Sequence, residues 1–372
     1  MSGGGEMADA IVIGGGLVGA AIAWGLLDHG HSVIMLDEGD VALRASRGNF
    51  GLVWVQSKGD GMPEYARWTR GSADLWGAFG QRLTEETGIS PHYEKPGGLY
   101  FMLSEEDDAR IRDQHVRMHN VNGSAGYGAE MLDRRQLDEM MPGLGPDVIS
   151  GSYCKHDGHA NPLFLLRALH LGFARRGGRY HADAGVERVE KDGEGFCVTT
   201  ARGRYRGGKV VMAAGHGNTR LGPMLGMDVP IHPEKGQILV TERAAPLLPL
   251  PTHVLRQTNE GTIMIGDSHE DTGYSTASTS PVMAQMAAYA VRCFPALAKL
   301  RVVRSWGAVR VLSKDGFPVY QQSAETPGAF AINCHSGVTL AAAHAGPLAA
   351  AIAGPGLGPE FDAFSPRRFL NG

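Results

Sequence analysis

One stretch near the start of the chain restricts its fold more than any other. Residues 9–38 read DAIVIGGGLVGAAIAWGLLDHGHSVIMLDE, which divides into an apolar run, a glycine-rich turn, a segment of helical periodicity and a second apolar run. Short apolar runs bounded by glycine indicate buried strands, and the longer periodic segment between them indicates a helix. The stretch therefore predicts a βαβ unit.

The turn of this unit carries Gly14, Gly16 and Gly19 in the spacing GxGxxG. In nucleotide-binding folds these glycines form a tight turn, let the backbone approach a pyrophosphate, and let the helix pack closely on the strand. The helix that starts near Leu17 directs free amide groups at the phosphates. Asp37 follows Gly19 by 18 positions, close to the roughly 20-residue spacing of a carboxylate that binds a ribose hydroxyl and disfavours a 2′-phosphate. The unit predicts NAD or FAD rather than NADP.

A basic loop follows the unit. Residues 44–56 read RASRGNFGLVWVQ and mix arginine, serine and asparagine with glycine. Such a loop can donate hydrogen bonds to a second phosphate and then pass close to a flat ring. A solvated basic turn is the alternative.

The rest of the chain alternates between segments typical of a nucleotide-binding domain and β-rich segments of a different type. Val210–Gly215 reads as a buried strand ending in Ala-Ala-Gly, small residues that let the backbone run against a ligand. Separate β-rich segments read as a second domain inserted into the first. We predict an α/β fold with a discontinuous Rossmann-like domain and a β-rich α+β substrate domain, covering residues 8–85, 150–225 and 305–366 for the first and residues 86–149 and 226–304 for the second.

Composition excludes several classes of function. The net charge of −4 gives no basic surface for nucleic acid. The four cysteines lie far apart, form no CxxC pair and join no metal-ligand cluster, which fits a reduced, cytoplasmic setting. The acidic start of the chain does not resemble a secretory signal, and no apolar run is long enough to span a bilayer.

Four motifs in this order resemble the D-amino-acid oxidase superfamily of flavoproteins: GGGLVG, VVMAAG, GAVRVLSKDGFP and CHSGVTLAAAHAGPLA. Within it, RASRGNFGLVWVQSKG and INCHSGVTLAA resemble the glycine oxidase branch. More narrowly, they resemble D-hydroxyproline dehydrogenase, the flavin subunits of opine dehydrogenases, and hydrogen cyanide synthase. The resemblance covers nearly the whole chain and implies a glutathione-reductase-type FAD-binding domain.

The resemblance also implies which residues contact FAD. Val186 would touch the adenine through its backbone, and residues 335–339 would lie against the N1 and O2 edge of the flavin. The segment also reads as a helix start, whose amides would stabilise negative charge on that edge. The implied contacts are Gly14, Gly15, Gly16, Leu17, Val18, Gly19, Asp37, Glu38, Arg44, Ala45, Ser46, Arg47, Asn49, Gly51, Leu52, Val186, Ala214, Gly215, Arg310, His335, Ser336, Gly337, Val338 and Thr339.

The substrate site is expected to centre on Arg310. The family holds the substrate carboxylate with an arginine in a G-x-R-P-x-x-x-D-G-x-P segment, and residues 307–318 give a similar arrangement, with Val311 where proline is common. A guanidinium group binds a carboxylate through two parallel hydrogen bonds. The alternative is an ordinary salt-bridge arginine in a strand. His253 and Arg256 are further candidates for polar contacts, although a lone histidine is more often a packing or surface residue.

The implied reaction is oxidation of the C–N bond of a small or N-substituted amino acid to the imine. The substrate would be a D-amino acid, D-proline, hydroxy-D-proline or glycine, with hydride transfer to flavin N5, and the electrons would pass to oxygen or another carrier. Relatives with covalent flavin carry a cysteine soon after the arginine segment, and none occurs between Trp306 and Cys334. FAD is therefore predicted to be non-covalent.

Two alternatives to a free-standing oxidase stay open. One is the flavin subunit of a heteromeric opine or hydrogen-cyanide-synthase-type dehydrogenase, so that either a homo-oligomer or a partner subunit is expected. The other is an NAD-dependent dehydrogenase, which accounts for the first 38 residues but not for the later motifs.

Overall fold

A computed structural model describes residues 5–39, 45–122 and 128–370 of the chain. We number strands and helices in chain order. The strands are β1 (Glu6–Ile13), β2 (Val33–Leu36), β3 (Leu52–Val53), β4 (Gly98–Met102), β5 (Ala129–Asp133), β6 (Ser150–Cys154), β7 (Gly158–His159), β8 (Arg179–His181), β9 (Val186–Asp192), β10 (Gly195–Thr200), β11 (Gly203–Met212), β12 (Ile231–Arg243), β13 (Leu255–Gln257), β14 (Thr262–Ile265), β15 (Val302–Ser313), β16 (Val319–Gln322) and β17 (Ala329–Asn333).

The helices are mostly short, apart from α2 and α3. They are α1 (Leu17–Leu26), α2 (Pro63–Thr87), α3 (Glu105–Asn122), α4 (Arg134–Met140), α5 (Pro162–Arg175), α6 (Asn218–Leu221), α7 (Ser280–Cys293), α8 (Ala341–Ala343) and α9 (Ala349–Ala353). A π-helical turn, His344–Leu348, joins α8 to α9. Among the described residues, none of the helices combines the length and the apolar character that a bilayer crossing requires.

The main sheet has the order β16-β17-β11-β1-β2-β8, and β9 and β10 extend it from β11. Strands β17, β11, β1, β2 and β8 run parallel. In β1, Ile11 lies opposite Ile34 on one side and Val210 on the other. The predicted βαβ unit is confirmed, because β1 and β2 are parallel neighbours joined by α1.

Both faces of this sheet are buried, as parallel sheets require. One apolar core packs against α1, α2, α5 and the C-terminal helices, and a second fills the opposite face around Ile11 and Val210. Gly25 lets α1 approach the C-terminal helices closely, since a Cβ there would lie 2.1 Å from the carbonyl oxygen of Ala345. At the other end of α1, a Cβ on Gly337 would lie 3.6 Å from the Cβ of Leu17, so the start of α1 lies next to the segment that precedes α8.

A second group of sheets covers the carboxyl end of the main sheet. Strands β13-β14-β12-β15 form an antiparallel sheet, and β4-β6-β5 form another. Their shared core includes Phe101, Leu255 and Phe294, with α7 packed against it. In the long β12–β15 ladder, Arg310 lies opposite Glu234.

The division of the chain into two domains stays a prediction. Strand pairing places β6 between β4 and β5, and it places all of β15 beside β12. Both strands fall largely within ranges that the sequence assigned to the nucleotide-binding domain. The residues of β6 and β15 could not reveal this pairing, because the partner strands come from distant parts of the chain.

Candidate functional site

A cavity of about 660 Å³ lies between the two groups of sheets, at the carboxyl ends of β1, β2 and β11. Ligands of open α/β sheets bind at such strand ends. Most of its lining comes from residues 13–18, 36–38, 45–50, 213–217 and 332–339 on one side, and from Glu234, 236–238 and 308–312 on the other.

The glycine-rich turn is shaped for close approach. Gly14 has a φ of +107°, and a Cβ there would lie 2.4 Å from the carbonyl oxygen of Ala213. A Cβ on Gly19 would lie 1.9 Å from the carbonyl oxygen of Gly14, so Gly19 packs inside the unit rather than lining the cavity. Helix α1 then begins at Leu17, whose N–H donates to the hydroxyl of Ser46 at 2.9 Å. The helix start and the basic loop therefore face the cavity together.

Asp37 closes the far side of this turn. It is buried, its Oδ2 accepts the N–H of Gly15 at 2.7 Å, and its Oδ1 accepts the N–H of Gly39 at 2.9 Å. Asp37 also lines the cavity, where a carboxylate can accept hydrogen bonds from ribose hydroxyls. Glu38 also lines the cavity but is exposed.

The basic loop lies along the cavity. Ala45, Ser46, Arg47 and Asn49 are in its lining, and Arg44 lies outside the described residues. The side chain of Asn49 accepts the N–H of Gly51 at 2.8 Å. Leu52 reaches the cavity as well.

Gly51 does not line the cavity. Its φ is +97°, and a Cβ there would lie 2.4 Å from the carbonyl oxygen of Ala160. It forms a turn packed on another part of the chain, whereas the sequence placed it beside the flavin ring.

The C-terminal segment of residues 335–339 is held from behind by α2. The hydroxyl of Tyr65 lies 2.8 Å from that of Ser336, Ser72 donates to the carbonyl oxygen of Thr339 at 2.7 Å, and Trp76 donates to that of Val338 at 3.1 Å. All five residues of the segment line the cavity. The next helix begins only at Ala341, so His335 to Gly337 precede it in a turn. The N–H of Leu340 donates to the carbonyl oxygen of Ser336 at 2.9 Å, so the expected loop into a helix is present, although the helix itself begins a few residues later than expected.

Val186, Ala214 and Gly215 also line the cavity, as expected. The carbonyl oxygen of Val186 accepts a hydrogen bond from Arg220 at 2.6 Å. Arg220 is itself in the lining, and no sequence motif indicated it.

Arg310 lies in the cavity wall, but its guanidinium group is already paired. It forms ion pairs with Glu234 at 2.9 Å and Asp267 at 2.8 Å, and it donates to the carbonyl oxygen of Ser268 at 2.8 Å. His269 contacts the same two carboxylates, at 2.7 Å and 3.4 Å. We call Glu234, Asp267, His269 and Arg310 the Arg310 cluster.

Charges within the cluster support one another. Burial acts to raise the pKa of Asp267, but the hydrogen bond with His269 and the charge of Arg310 outweigh it and hold that pKa below its usual value. The hydrogen bond with Asp267 raises the pKa of His269, against the effect of burial. Among the described residues, no acceptor bonds the Nε–H of Arg310, so a substrate carboxylate could still reach the guanidinium group, beside two carboxylates that already balance its charge.

His253 and Arg256 have different positions. His253 lines the cavity and stacks on Tyr100, with ring centres 3.8 Å apart, and burial lowers its pKa to about 4, so that its ring is neutral. Arg256 is buried outside the cavity lining, donates to the carbonyl oxygen of Phe50 and lies over its ring. It supports the basic loop, whereas the sequence suggested a substrate contact.

Lys58 is a wall residue that lies within the motif RASRGNFGLVWVQSKG but was not singled out from the sequence. Its Nζ lies 3.3 Å from Nε2 of His335, and both residues line the cavity. Burial lowers the pKa of Lys58 to about 8 and lowers that of His335 well below its usual value, so the histidine ring is neutral. A single lysine in a glycine-containing loop gives no sequence signal for this position.

Comparison with known proteins identifies full-length relatives. The family model described as FAD dependent oxidoreductase matches residues 9–351. An opine oxidase subunit of Rhizobium meliloti is 45% identical over 362 residues, which are 97% of each chain. The corresponding opine oxidase subunit of Agrobacterium tumefaciens (strain Ach5) is 44% identical over the same shares of the two chains.

A crystal structure of glycine oxidase from Geobacillus kaustophilus superposes with a TM-score of 0.87. It covers 97% of this chain and 98% of its own, at 22% identity. The predicted fold class is confirmed: an α/β fold with a Rossmann-like domain and a second, β-rich domain.

Proposed function

The chain belongs to the FAD dependent oxidoreductase family, and from that premise we propose that it oxidises the C–N bond of an N-substituted amino acid as the flavin-carrying subunit of a larger complex. The superfamily resemblance of its four motifs is confirmed, with FAD as the cofactor. The NAD alternative is set aside, because the family match extends far beyond the first 38 residues.

The main observation that supports this proposal is that a single cavity is continuous. It runs from the glycine-rich turn of β1 and α1 to a wall of charged and aromatic side chains from the other sheets, including Lys58, Tyr100 and Arg310. A dinucleotide can therefore lie along the turn while a small charged substrate occupies the other end. Relatives named as opine oxidase subunits match along almost their whole length, which supports a substrate of that type.

The residues present fit FAD. Any side chain at Gly14 would meet backbone, and a Cβ at Gly16 would lie 2.9 Å from the hydroxyl of Ser46, so the turn leaves room for a pyrophosphate. Asp37 presents a carboxylate to the cavity at the position expected for the ribose, and residues 335–339 lie where the flavin ring is expected. When bound, FAD would accept the two electrons that are removed from the carbon bearing the nitrogen.

The chain's own contribution is to bind, orient and enclose the substrate. The wall places a cation, Lys58, and two neutral imidazoles, His253 and His335, around one end of the cavity. The cation attracts a carboxylate and disfavours a protonated amine nearby. The acceptor nitrogen of His335 faces Lys58, so the neutral ring of His253 is the one that can accept a hydrogen bond from an amine N–H. Such a wall holds an amino acid with its nitrogen deprotonated, as removal of a hydride requires.

The larger complex is inferred from the relatives. Both of the relatives with the higher identities are named as subunits of an opine oxidase. We infer that a partner subunit completes this protein and passes its electrons to the final acceptor. The predicted cytoplasmic setting is also retained as a proposal, and the four free thiols support it.

Anaerobic reduction of the bound flavin tests the reaction. Glycine, D-proline, hydroxy-D-proline and an N-(carboxyalkyl) amino acid are offered separately to the purified holoprotein while the flavin absorbance is followed. We expect the N-(carboxyalkyl) amino acid to bleach the flavin fastest. If none of the four bleaches it, the proposed function is wrong.

The need for a partner is tested with the same substrate. The isolated chain is assayed with an artificial electron acceptor, and its size and activity are compared by gel filtration with those of the complex purified from its natural source. We expect the isolated chain to reduce the artificial acceptor and to need the complex for turnover with the natural one. Equal turnover without any partner would contradict the subunit proposal.

A further inference from the structure

The positive charge of Arg310 is locally compensated. Two carboxylates, Glu234 and Asp267, contact its guanidinium group, and a backbone carbonyl takes a further N–H. These bonds use both terminal nitrogens, and among the described residues only the Nε–H is left without an acceptor to offer a ligand along that edge. A substrate carboxylate gains little from a cation whose charge is already balanced.

Lys58 has no such direct pairing, although Asp267 is close enough for its charge to act on the lysine. It is partly buried in the same wall, and no carboxylate of the described residues forms an ion pair with it. Its side chain contacts the neutral ring of His335, which accepts one of its three N–H bonds. The two remaining N–H donors of a charged lysine are left for a ligand.

From this contrast we propose that Lys58 is the residue that receives a carboxylate of the substrate in the cavity. A cation that is held away from bulk water without a direct ion-pair partner is stabilised by an anion more than by any neutral ligand. The Arg310 cluster then forms a preassembled, charge-balanced part of the wall.

The position of Lys58 is fixed by its loop. The backbone N–H groups of Val55 and Gln56 both donate to Oδ1 of Asp157, at 2.6 Å and 3.2 Å, and the N–H of Lys58 donates to the carbonyl oxygen of Val55 at 3.1 Å. Trp54 donates its N–H to the hydroxyl of Thr339 at 3.1 Å. The loop is therefore fastened both to the protein core and to the segment that carries His335.

The proposal deepens the proposed function, but its test does not require turnover. The probe is thiodiacetate, a dicarboxylate with sulfur in place of the amine nitrogen, which has no C–N bond to oxidise. Its dissociation constant from the oxidised holoprotein is measured through the change in flavin absorbance. The diamide of thiodiacetate, which carries no charge, serves as the matched ligand.

Three variants are compared with the unaltered protein. Lys58→Met removes the charge at similar length, and Lys58→Arg keeps it. Lys95→Met is the control, because Lys95 is exposed and pairs with Asp74 outside the cavity.

We expect Lys58→Met to weaken thiodiacetate binding at least tenfold and to leave the diamide within about twofold. Lys58→Arg should retain most of the affinity, and Lys95→Met all of it. Unchanged thiodiacetate binding by Lys58→Met, with flavin still bound, would overturn the proposal. Loss of amine oxidation with Lys58-dependent thiodiacetate binding intact would instead count against the proposed function alone.

A second measurement is needed if Lys58→Met loses its flavin. It is the pH dependence of thiodiacetate binding to the unaltered protein. Lys58 is surrounded by Asp157, Asp267, Arg310, Cys334 and His335, and its pKa lies at about 8. If the anion needs a protonated Lys58, thiodiacetate affinity should fall about tenfold per pH unit above pH 8, while diamide affinity stays constant. A flat thiodiacetate profile from pH 7 to above pH 9 would also overturn the proposal.

Discussion

At the scale of single residues, each glycine of the turn has a separate steric reason. Gly14 adopts a φ of +107° and lies against the backbone of Ala213, whereas Gly19 lies against Gly14 itself. The spacing GxGxxG therefore encodes packing of the chain against its own backbone as much as contact with phosphate. This explains why only part of the motif lines the cavity.

Replacement of Gly14 tests this assignment against a matched glycine. Gly14→Ala would place its Cβ 2.4 Å from a carbonyl oxygen, at a backbone angle that costs alanine about 1 kcal/mol. Gly30 also has a positive φ, of +75°, but a Cβ there has nothing within 4 Å. We expect Gly14→Ala to weaken FAD binding at least tenfold and Gly30→Ala to leave it unchanged, as measured by flavin fluorescence during titration of the apoprotein. Equal FAD affinity in the two variants would contradict the steric assignment.

Single residues also show where the sequence was informative. Asp37 could be predicted because its distance from the glycine turn is fixed by one helix and one strand. The partners of Arg310 could not, because Glu234 faces it only through the β12–β15 ladder and Asp267 comes from the turn after β14. The sequence motif therefore identified Arg310, but it could not predict the two carboxylates beside it, because they belong to segments that are distant in sequence.

At the scale of elements, the long helix α2 and the short strand β3 position the site without supplying most of its lining. Tyr65, Ser72 and Trp76 on α2 all bond to the segment of residues 335–339. The residues after β3 are fastened to Asp157, which follows β6. This helix was not predicted from the sequence, and its bonding partners lie more than 260 residues away, where no local signal indicates them.

Asp157 offers a test of this fastening. Asp157→Ala would leave the backbone N–H groups of Val55 and Gln56 without an acceptor, and the side-chain amide of Gln56 would keep only its bond to the carbonyl oxygen of Gly98. Buried donors without partners cost about 1–3 kcal/mol each, so we expect a loss on the order of 3 kcal/mol. Asp157→Asn keeps one acceptor oxygen and should lose about 1 kcal/mol.

The measurement is the temperature at which heating unfolds the protein and releases its flavin. Asp157→Ala should lower it most, Asp157→Asn less, and the control Asp138→Ala hardly at all, because Asp138 is half exposed and forms a surface ion pair with Arg134. An unfolding temperature for Asp157→Ala equal to that of the control would show that the loop does not depend on this carboxylate.

At the scale of the whole molecule, the cavity lies between two groups of sheets with separate apolar cores. The main sheet supplies the glycine turn and Asp37, the loop after β3 supplies Lys58, and the antiparallel sheet supplies Arg310. The fold class was predictable because the main sheet begins with a local βαβ pattern. The meeting of these three segments was not, because it depends on the pairing of strands that lie far apart in the chain.

A cofactor bound between these parts should stabilise the whole chain, and its removal is the last test. A ligand present at 100 times its dissociation constant adds about 2.7 kcal/mol to the stability of the folded state. Within the described residues, the cysteine in the cavity lining is Cys334, and burial raises its pKa to about 12, so its thiol is protonated and unreactive. We therefore expect acid precipitation to release all the yellow flavin, and the colourless apoprotein to unfold several degrees lower and to recover on addition of FAD. Flavin that stays with the precipitate would show a covalent link and contradict this expectation.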